Sequence, residues 1–293
     1  MAMSSTFASI SLTAKLTAYM RQFTDIPFAR DVAELVQARA AFENLLRDRQ
    51  LKPDDLTWYA PILEARYKSI AEMIRRSGAR QILELASGLS LRGLAMTSDS
   101  TLHYVETDLD ELNGEKAALI AEISSRHRLP ARDNLRMIAV NALEREDLAA
   151  ATANFQPGQP IAIVHEGLLQ YLTSTETERV ARNIHDLLGK FGGVWITPDF
   201  SLKADAANVS EQQQQFRQIV TSATDRTMYN NAFNDTEHLN AYFGRLGFQV
   251  EVFNQLYLAP DLVSADRLRP GLLDELKPRL RLWVLSRVAS VTG

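Results

Sequence analysis

The chain has 293 residues, of which 46% are hydrophobic and 23% are charged, and these proportions are typical of a globular protein with a well-buried core. A formal net charge of -4 and a pI of about 5.8 leave no basic excess to attract a phosphate backbone, so nucleic acid is not an expected partner. Cysteine is absent, which excludes disulfides, a thiolate nucleophile and thiolate metal ligands. No apolar run reaches the length of a signal-peptide core or a membrane span, so we expect a cytoplasmic protein with no membrane partner. We also expect no bound metal.

Helices come first in the chain. Apolar residues fall at helical spacings from about residue 30 to residue 50, and again over residues 62–74. After residue 75 the pattern changes, because short apolar runs begin to alternate with amphipathic helices. This alternation is typical of βα units and predicts a parallel sheet.

Five strands are predicted in this alternating part, and two more follow a polar stretch. The first five cover residues 81–85, 102–108, 135–140, 161–166 and 194–199. The segment Thr173-Ser174-Thr175-Glu176 predicts a capping box at the start of a helix. The last two strands, residues 248–253 and 280–288, favour an antiparallel pair at one sheet edge. The fold class is therefore α/β, with a seven-stranded, mostly parallel sheet.

Small residues follow the first predicted strand in the segment Glu84-Leu85-Ala86-Ser87-Gly88-Leu89-Ser90. A tight loop at this point allows the backbone to approach a ligand at the carboxyl end of the sheet. One glycine is a weak signal, and an ordinary strand-to-helix turn explains the segment equally well.

Polar residues also end the next three strands. Asp108, about 20 residues beyond Gly88, can accept both ribose hydroxyls of a nucleotide; as an alternative it caps the next helix, a role that Asp110 could fill instead. Asn141 could meet an adenine edge, and Glu166 could pair with an ammonium group. A turn asparagine and a solvated glutamate remain the structural alternatives. The occurrence of Gly88, Asp108, Asn141 and Glu166 at the ends of consecutive strands favours a nucleotide that carries a charged amino-acid tail.

The segment His165-Glu166-Gly167-Leu168-Leu169-Gln170-Tyr171-Leu172 resembles the Glu-Gly-(apolar)-Leu-x-Tyr-Leu signature of the leucine carboxyl methyltransferase family. Glu106-Thr107-Asp108-Leu109 with Lys116, and Gly88-Leu89-Ser90-Leu91-Arg92, are similar to further motifs of that family. The resemblance covers roughly residues 10–200. It departs at Ala86, which replaces a glycine, at Ser90-Leu91, which replaces Asp-Thr, and at Asn141-Ala142, which replaces Asp-Leu.

The resemblance implies a Rossmann-like class I methyltransferase with S-adenosylmethionine as cofactor, acting on a hydroxyl or carboxylate of a small-molecule acceptor. Arg66 would grip the cofactor carboxylate, and Glu166 the ammonium. The residues that the resemblance assigns to the cofactor are Arg66, Glu84, Ala86, Gly88, Asp108, Leu109, Asn141, Ala142 and Glu166.

A single methyltransferase domain over residues 1–293 is expected, with a helical N-terminal cap over residues 1–75 and a cofactor-binding core over residues 76–200. A lid insertion over residues 201–245 and the final strands over residues 246–293 complete it. We expect the cap and the lid to build the acceptor pocket, because the strand ends are used by the cofactor.

His165 is the first candidate for a general base, since it neighbours Glu166 at the mouth of the sheet. Adjacent strand residues point to opposite faces, so a Glu166 that faces the cofactor turns His165 towards a helix layer. A buried, hydrogen-bonded histidine is therefore the favoured interpretation. Two other functional readings stay open: an NAD(P)-dependent oxidoreductase, and a non-catalytic binding module with a methyltransferase fold.

Overall fold

The computed structural model of the protein describes residues 13–47, 52–207, 214, 218–219, 221 and 232–288. Much of the predicted lid lies outside these ranges. Strands and helices below are numbered in chain order within the described part of the chain.

One sheet organises the described residues, with its strands in the order β3-β2-β1-β4-β5-β7-β6. The strands are β1 Gln81–Leu85, β2 His103–Asp108, β3 Leu135–Ala139, β4 Ile161–His165, β5 Gly193–Thr197, β6 Phe248–Asn254 and β7 Arg281–Arg287. Strands β1 to β5 pair in parallel, and β7 pairs antiparallel with both β5 and β6. The predicted seven-stranded sheet with an antiparallel edge pair is confirmed. Because β7 lies between β5 and β6, the outermost strand β6 runs in the same direction as the first five.

Helices surround this sheet. The α-helices are α1 (residues 13–21), α2 Ala29–Leu35, α3 Ala38–Leu46, α4 Ala60–Ser77, α5 Arg92–Met96, α6 Asp110–Arg126, α7 Arg145–Ala151, α8 Ser174–Phe191, α9 Lys203–Ala207, α10 Thr236–Arg245, α11 Gln255–Leu258 and α12 Leu272–Leu276. Short 3-10 helices cover Pro53–Tyr59, Leu169–Tyr171, Ala265–Arg267 and Lys277–Arg279. Among the described helices, none is long and apolar enough to cross a membrane.

Local sequence explains where α8 begins and ends. Thr173 and Glu176 form the predicted capping box, in which the Glu176 amide donates to Thr173 Oγ1 at 3.2 Å and the Thr173 amide donates to Glu176 Oε2 at 2.7 Å. Gly192 and Gly193 then turn the chain into β5 with φ values of +76° and +102°. A Cβ atom at Gly193 would overlap the carbonyl oxygen of Ile161 on β4, so only glycine fits at this turn.

The two faces of the sheet bury different sets of side chains. Residues such as Ile163 and Trp195 face α8 and α10, whereas Ala162 and Ile196 face α4. A third cluster joins α1, α2 and α3 to α6 and to the loop after β1, and Leu16 of α1 is among its buried members. The N-terminal helices are therefore packed against the carboxyl ends of the strands rather than tethered loosely to them.

Candidate functional site

A cavity of about 120 Å³ lies at the carboxyl ends of β1, β2 and β4. The strand order reverses between β1 and β4, and ligands of open α/β sheets bind at such a switch point. The walls come from α1, from the start and middle of α4, from the loop after β1, and from the turn after β4. The lining residues with polar side chains are Thr13, Thr17, Arg21, Tyr59, Arg66, Glu84, Ser87, Ser90, Asp108, Glu166, Gln170 and Tyr171.

Six of the nine residues assigned to the cofactor from the sequence meet in this cavity. They are Arg66, Glu84, Ala86, Gly88, Asp108 and Glu166. Three others, Leu109, Asn141 and Ala142, do not line it. The Oδ1 atom of Asn141 accepts from the Leu143 amide at 3.1 Å, as a turn asparagine does, and its predicted adenine contact stays a prediction.

The loop after β1 is held by Asp108. One carboxylate oxygen accepts from the Gly88 amide at 2.7 Å, and the other accepts from the Leu109 amide at 2.8 Å. Burial raises the pKa of Asp108, although these two amides oppose the shift. Neither Asp108 nor Asp110 is the N-cap residue of α6: Leu109 occupies that position, and its amide donates to Asp108 Oδ1.

Lys116 also holds the loop after β1. Its Nζ atom donates to Ser87 Oγ at 2.9 Å and pairs with Glu106 Oε2 at 2.8 Å. Ala86 has φ +48°, in the left-handed region that glycine adopts readily and alanine does not. The replacement of a family glycine by Ala86 is thus a strained feature of this chain, located in the wall of the cavity.

At the other end of the cavity, charged side chains form a buried hydrogen-bonded network. The Arg92 guanidinium donates to Glu84 Oε1 at 3.2 Å and to Glu166 Oε2 at 3.2 Å. Arg21 of α1 pairs with the second oxygen of Glu166 at 3.0 Å, and Tyr104 donates to Glu84 Oε2 at 2.8 Å. Burial alone would lower the pKa of Arg92, but the neighbouring Glu84 carboxylate and the other acidic groups raise it. Arg92 is therefore a fixed buried cation that bridges the two glutamates.

Arg66 lies on α4 and faces the cavity, with its guanidinium carbon 6.0 Å from the centre of the Tyr59 ring. Glu166 and Arg66 therefore share one cavity, as the sequence predicts. The sequence did not reveal that Glu166 is already bound by two arginines. Arg92 belongs to a segment matched to the family, but a local pattern carries no signal for a contact between residues 74 positions apart, as Arg92 and Glu166 are.

His165 points away from the cavity, as strand alternation predicts. It is fully buried, and its Nε2 atom accepts from Trp195 Nε1 at 2.9 Å. Because an indole nitrogen can only donate, the ring proton of a neutral His165 must sit on Nδ1, which lies 3.0 Å from Asp199 Oδ2. A side chain engaged on both ring nitrogens and absent from the cavity cannot serve as base for a ligand there, so that candidate role is wrong.

Phe233, in the segment predicted to form the lid, packs in the core. Its ring centre lies 6.0 Å from that of Phe200 and 5.8 Å from that of Phe243. Phe216, Tyr229, Asn230 and Asn231 of the same segment lie outside the described residues.

The topology and the cavity together define a class I methyltransferase fold. Two solved structures resemble the whole described arrangement. One is a DUF574 family protein from Streptomyces avermitilis, with a TM-score of 0.57, 12% identity, and coverage of 94% of this chain and 97% of that one. The other, from Nostoc punctiforme and provisionally described as an O-methyltransferase, has a TM-score of 0.50, 13% identity, and coverage of 96% and 95%. At these identities the likeness concerns the fold alone.

The model of the leucine carboxyl methyltransferase family matches residues 18–185, which is more than half of the chain. The chain belongs to the leucine carboxyl methyltransferase family. A provisionally named S-adenosyl-L-methionine-dependent methyltransferase of Mycobacterium bovis (strain BCG / Pasteur 1173P2) is 28% identical over 196 residues, which are 65% of this chain and 63% of that protein. A protein described in the same way from Mycobacterium tuberculosis (strain ATCC 25618 / H37Rv) matches to the same extent. The chain thus spans slightly less than two thirds of the length of these relatives.

Proposed function

We propose that this chain transfers the methyl group of S-adenosylmethionine to an oxygen atom of a small-molecule acceptor. The observation that carries the proposal is the cavity in which Asp108 and Glu166, from two different strand ends, share walls with Arg21 and Arg66. Membership of the family and the descriptions of the relatives support the same cofactor.

The described residues fit this cofactor. Asp108 would accept from the ribose hydroxyls, Arg66 would pair with the methionine carboxylate, and Glu166 with the ammonium. Two buried atoms of the cavity walls, Arg21 Nε and Ser90 Oγ, have no hydrogen-bond partner among the described residues. An unpaired buried polar atom costs free energy, so these two atoms favour a ligand that offers acceptors.

The walls of the cavity would align the acceptor and exclude water. The bound cofactor supplies a methyl group that is already activated on a sulfonium centre. Leu16 and Thr17 of α1 cover one side, and Gln170 and Tyr171 close another. At about 120 Å³ the cavity is smaller than the roughly 300–1,000 Å³ of typical ligand pockets. We therefore expect the cavity walls to shift when the cofactor binds, so that the bound cofactor fills the space and keeps water from the reacting atoms.

The groups in the cavity favour a carboxylate acceptor over a hydroxyl. Among the described lining residues there is no histidine and no lysine, and Glu84, Asp108 and Glu166 all accept hydrogen bonds from the protein already. Burial raises the pKa of Tyr171, so its phenol stays protonated and does not act as a base. A hydroxyl nucleophile gains from a base, whereas a carboxylate is ionised at neutral pH and needs none.

The test is methyl transfer from S-adenosylmethionine with a tritiated methyl group to matched acceptor pairs, each a carboxylic acid and the corresponding primary alcohol. Alkali hydrolyses a methyl ester to volatile methanol and leaves a methyl ether intact. We expect alkali-labile label on the acids, and its loss in Glu166→Gln. Transfer to the alcohols alone would overturn the carboxylate preference. No transfer to any oxygen acceptor, by a protein that binds S-adenosylhomocysteine, would contradict the proposed function.

A further inference from the structure

Asp199, two residues beyond the end of β5, is a buried carboxylate that the proposed chemistry does not use. Within the described part of the chain, no lysine or arginine pairs with it. Its two oxygens accept from the amides of Gly167 at 2.8 Å, Leu168 at 2.7 Å and Leu169 at 3.0 Å. His165 Nδ1 supplies a fourth hydrogen bond at 3.0 Å. A carboxylate that accepts hydrogen bonds from four donors remains ionised without a cationic partner.

The three amides belong to the turn that forms one wall of the cavity. This turn follows Glu166 directly, passes through Gly167 with φ +84°, and enters the 3-10 helix Leu169–Tyr171. Glu166, Gln170 and Tyr171 all line the cavity. The position of the turn therefore determines the positions of these three side chains in the cavity wall.

The other side of Asp199 is anchored in the core. Phe200, the next residue, packs 4.6 Å from the ring centre of Phe243, and its carbonyl accepts from Trp283 Nε1 at 3.2 Å. His165 is oriented in turn by Trp195, whose indole leaves only Nδ1 free to donate to Asp199. A continuous series of hydrogen bonds thus connects a rigid aromatic core to the turn after β4.

We propose that Asp199 is a positioning residue for the cofactor-binding wall, and that it acts by holding the amides of Gly167, Leu168 and Leu169 so that Glu166 and Tyr171 face the cavity. His165 orients the Asp199 carboxylate and takes no part in proton transfer. The inference rests on the proposed function, because it assumes that the cavity binds the cofactor. Hydrogen bonds from His165 and the turn amides lower the pKa of Asp199, although burial alone would raise it, which agrees with a carboxylate that is charged throughout the neutral range.

The test is the substitution Asp199→Asn, which preserves the size of the side chain but turns an N–H group towards the amides of the turn. Calorimetric titration with S-adenosylhomocysteine gives both the stoichiometry and Kd. We expect Kd to rise about tenfold or more at unchanged stoichiometry, because the wall shifts in a protein that is still folded. A merely structural role would reduce the fraction of molecules able to bind and leave Kd unchanged.

Asp99→Asn is the matched control. Asp99 also closes a turn by accepting a backbone amide, from Thr101 at 2.9 Å, but it precedes β2 and so lies at the amino ends of the strands, opposite the cavity. Its substitution should leave Kd for S-adenosylhomocysteine unchanged.

A second pair of variants covers the case in which Asp199→Asn does not fold. His165→Asn retains an N–H donor near the position of Nδ1, whereas His165→Ala removes it. We expect His165→Ala to weaken binding of S-adenosylhomocysteine several-fold and His165→Asn to restore most of it. Wild-type Kd in folded Asp199→Asn, or equal Kd values in the two His165 variants, would overturn the inference. A wild-type protein that does not bind S-adenosylhomocysteine would instead overturn the proposed function on which it rests.

Discussion

The two ends of the cavity are held in different ways. At the end formed by β2, Asp108 receives its hydrogen bonds from the amides of Gly88 and Leu109, which are near it in the fold and fixed by the backbone. At the end formed by β4, Glu166 is held by side chains from two remote segments, Arg21 and Arg92. The first end is built by the strand-and-loop unit itself. The second depends on long side chains and on α1, so it can respond to what binds.

The largest expected effect is at the second end. Arg92→Met should lower the free energy of unfolding by about 3–5 kcal/mol, because it leaves the buried Glu84 and Glu166 carboxylates without their common cation. Urea denaturation measures the change. Arg182→Met is the control, since Arg182 pairs with Glu178 at the exposed surface and its loss should not alter stability measurably. Equal stability of the two variants would show that Arg92 does not hold this end together.

The next effect concerns the first end. Asp108→Ala should weaken binding of S-adenosylhomocysteine by about 1–3 kcal/mol, and binding of 5′-methylthioadenosine, which lacks the amino-acid tail, by a similar amount. Calorimetry with both compounds measures this, with Asp110→Ala at the exposed start of α6 as control. Unchanged affinity in a folded Asp108→Ala protein would remove Asp108 from the site.

The same substitution should also reduce stability. From the sequence we expected little effect on the folded state, because a carboxylate at a strand end is not part of the core. The structure corrects this expectation: Asp108 is buried, and the amides of Gly88 and Leu109 would lose their acceptor. The affinity of Asp108→Ala for S-adenosylhomocysteine must therefore be determined for its folded molecules alone. The calorimetric stoichiometry gives the fraction of molecules that is folded and able to bind.

The substitution Arg66→Lys should distinguish the two ends of the cavity most sharply, although its expected effect on binding is smaller. Arg66→Lys should weaken binding of S-adenosylhomocysteine by about 1 kcal/mol or more, because a point ammonium cannot reproduce the two parallel hydrogen bonds of a guanidinium to a carboxylate. Binding of 5′-methylthioadenosine should not change. If both compounds lose affinity equally, Arg66 does not contact the amino-acid tail, and the assignment of this end is wrong.

The smallest expected effect is a gain. Ala86→Gly should raise the free energy of unfolding by about 0.5–1 kcal/mol, because it relieves the left-handed conformation at φ +48°. Thermal unfolding measures this shift. Gly88 offers the reverse substitution at φ +54°, and Gly88→Ala should destabilise the protein. A loss of stability in Ala86→Gly would mean that the methyl group of Ala86 makes contacts worth more than the strain.

The sequence predicts the strands well because each βα unit carries its own pattern, and the outward turn of His165 follows from strand alternation alone. The place of β7 between β5 and β6 was not predictable in this way, since it depends on which strands pair rather than on any local run. The residues of the candidate site divide in the same way, into those that a local pattern predicts and those that depend on remote contacts. Asp108 and Gly88 were identified from their spacing along one βα unit. The partners of Glu166 come from α1 and α5, and the role of Asp199 depends on a turn 30–32 residues away.

Removal of residues 1–25 illustrates the same limit. If the N-terminal cap only built the acceptor pocket, as the sequence predicts, such a truncation would abolish turnover while the Rossmann core stays folded. In the structure Leu16, Tyr19 and Met20 are buried in the cluster that joins α1 to α6. Truncation therefore removes part of the core together with the cavity wall, and the point substitutions above separate the two effects where a truncation cannot.

The most direct test of the central claim is calorimetric titration of the full chain with S-adenosylhomocysteine and, in the same buffer, with NADH. The account predicts one S-adenosylhomocysteine per chain and no heat of binding with NADH, because the loop after β1 has the single glycine Gly88, and because Glu166 and Arg66, the proposed partners of an amino-acid tail, line the same cavity. Binding of NADH together with no binding of S-adenosylhomocysteine would contradict it.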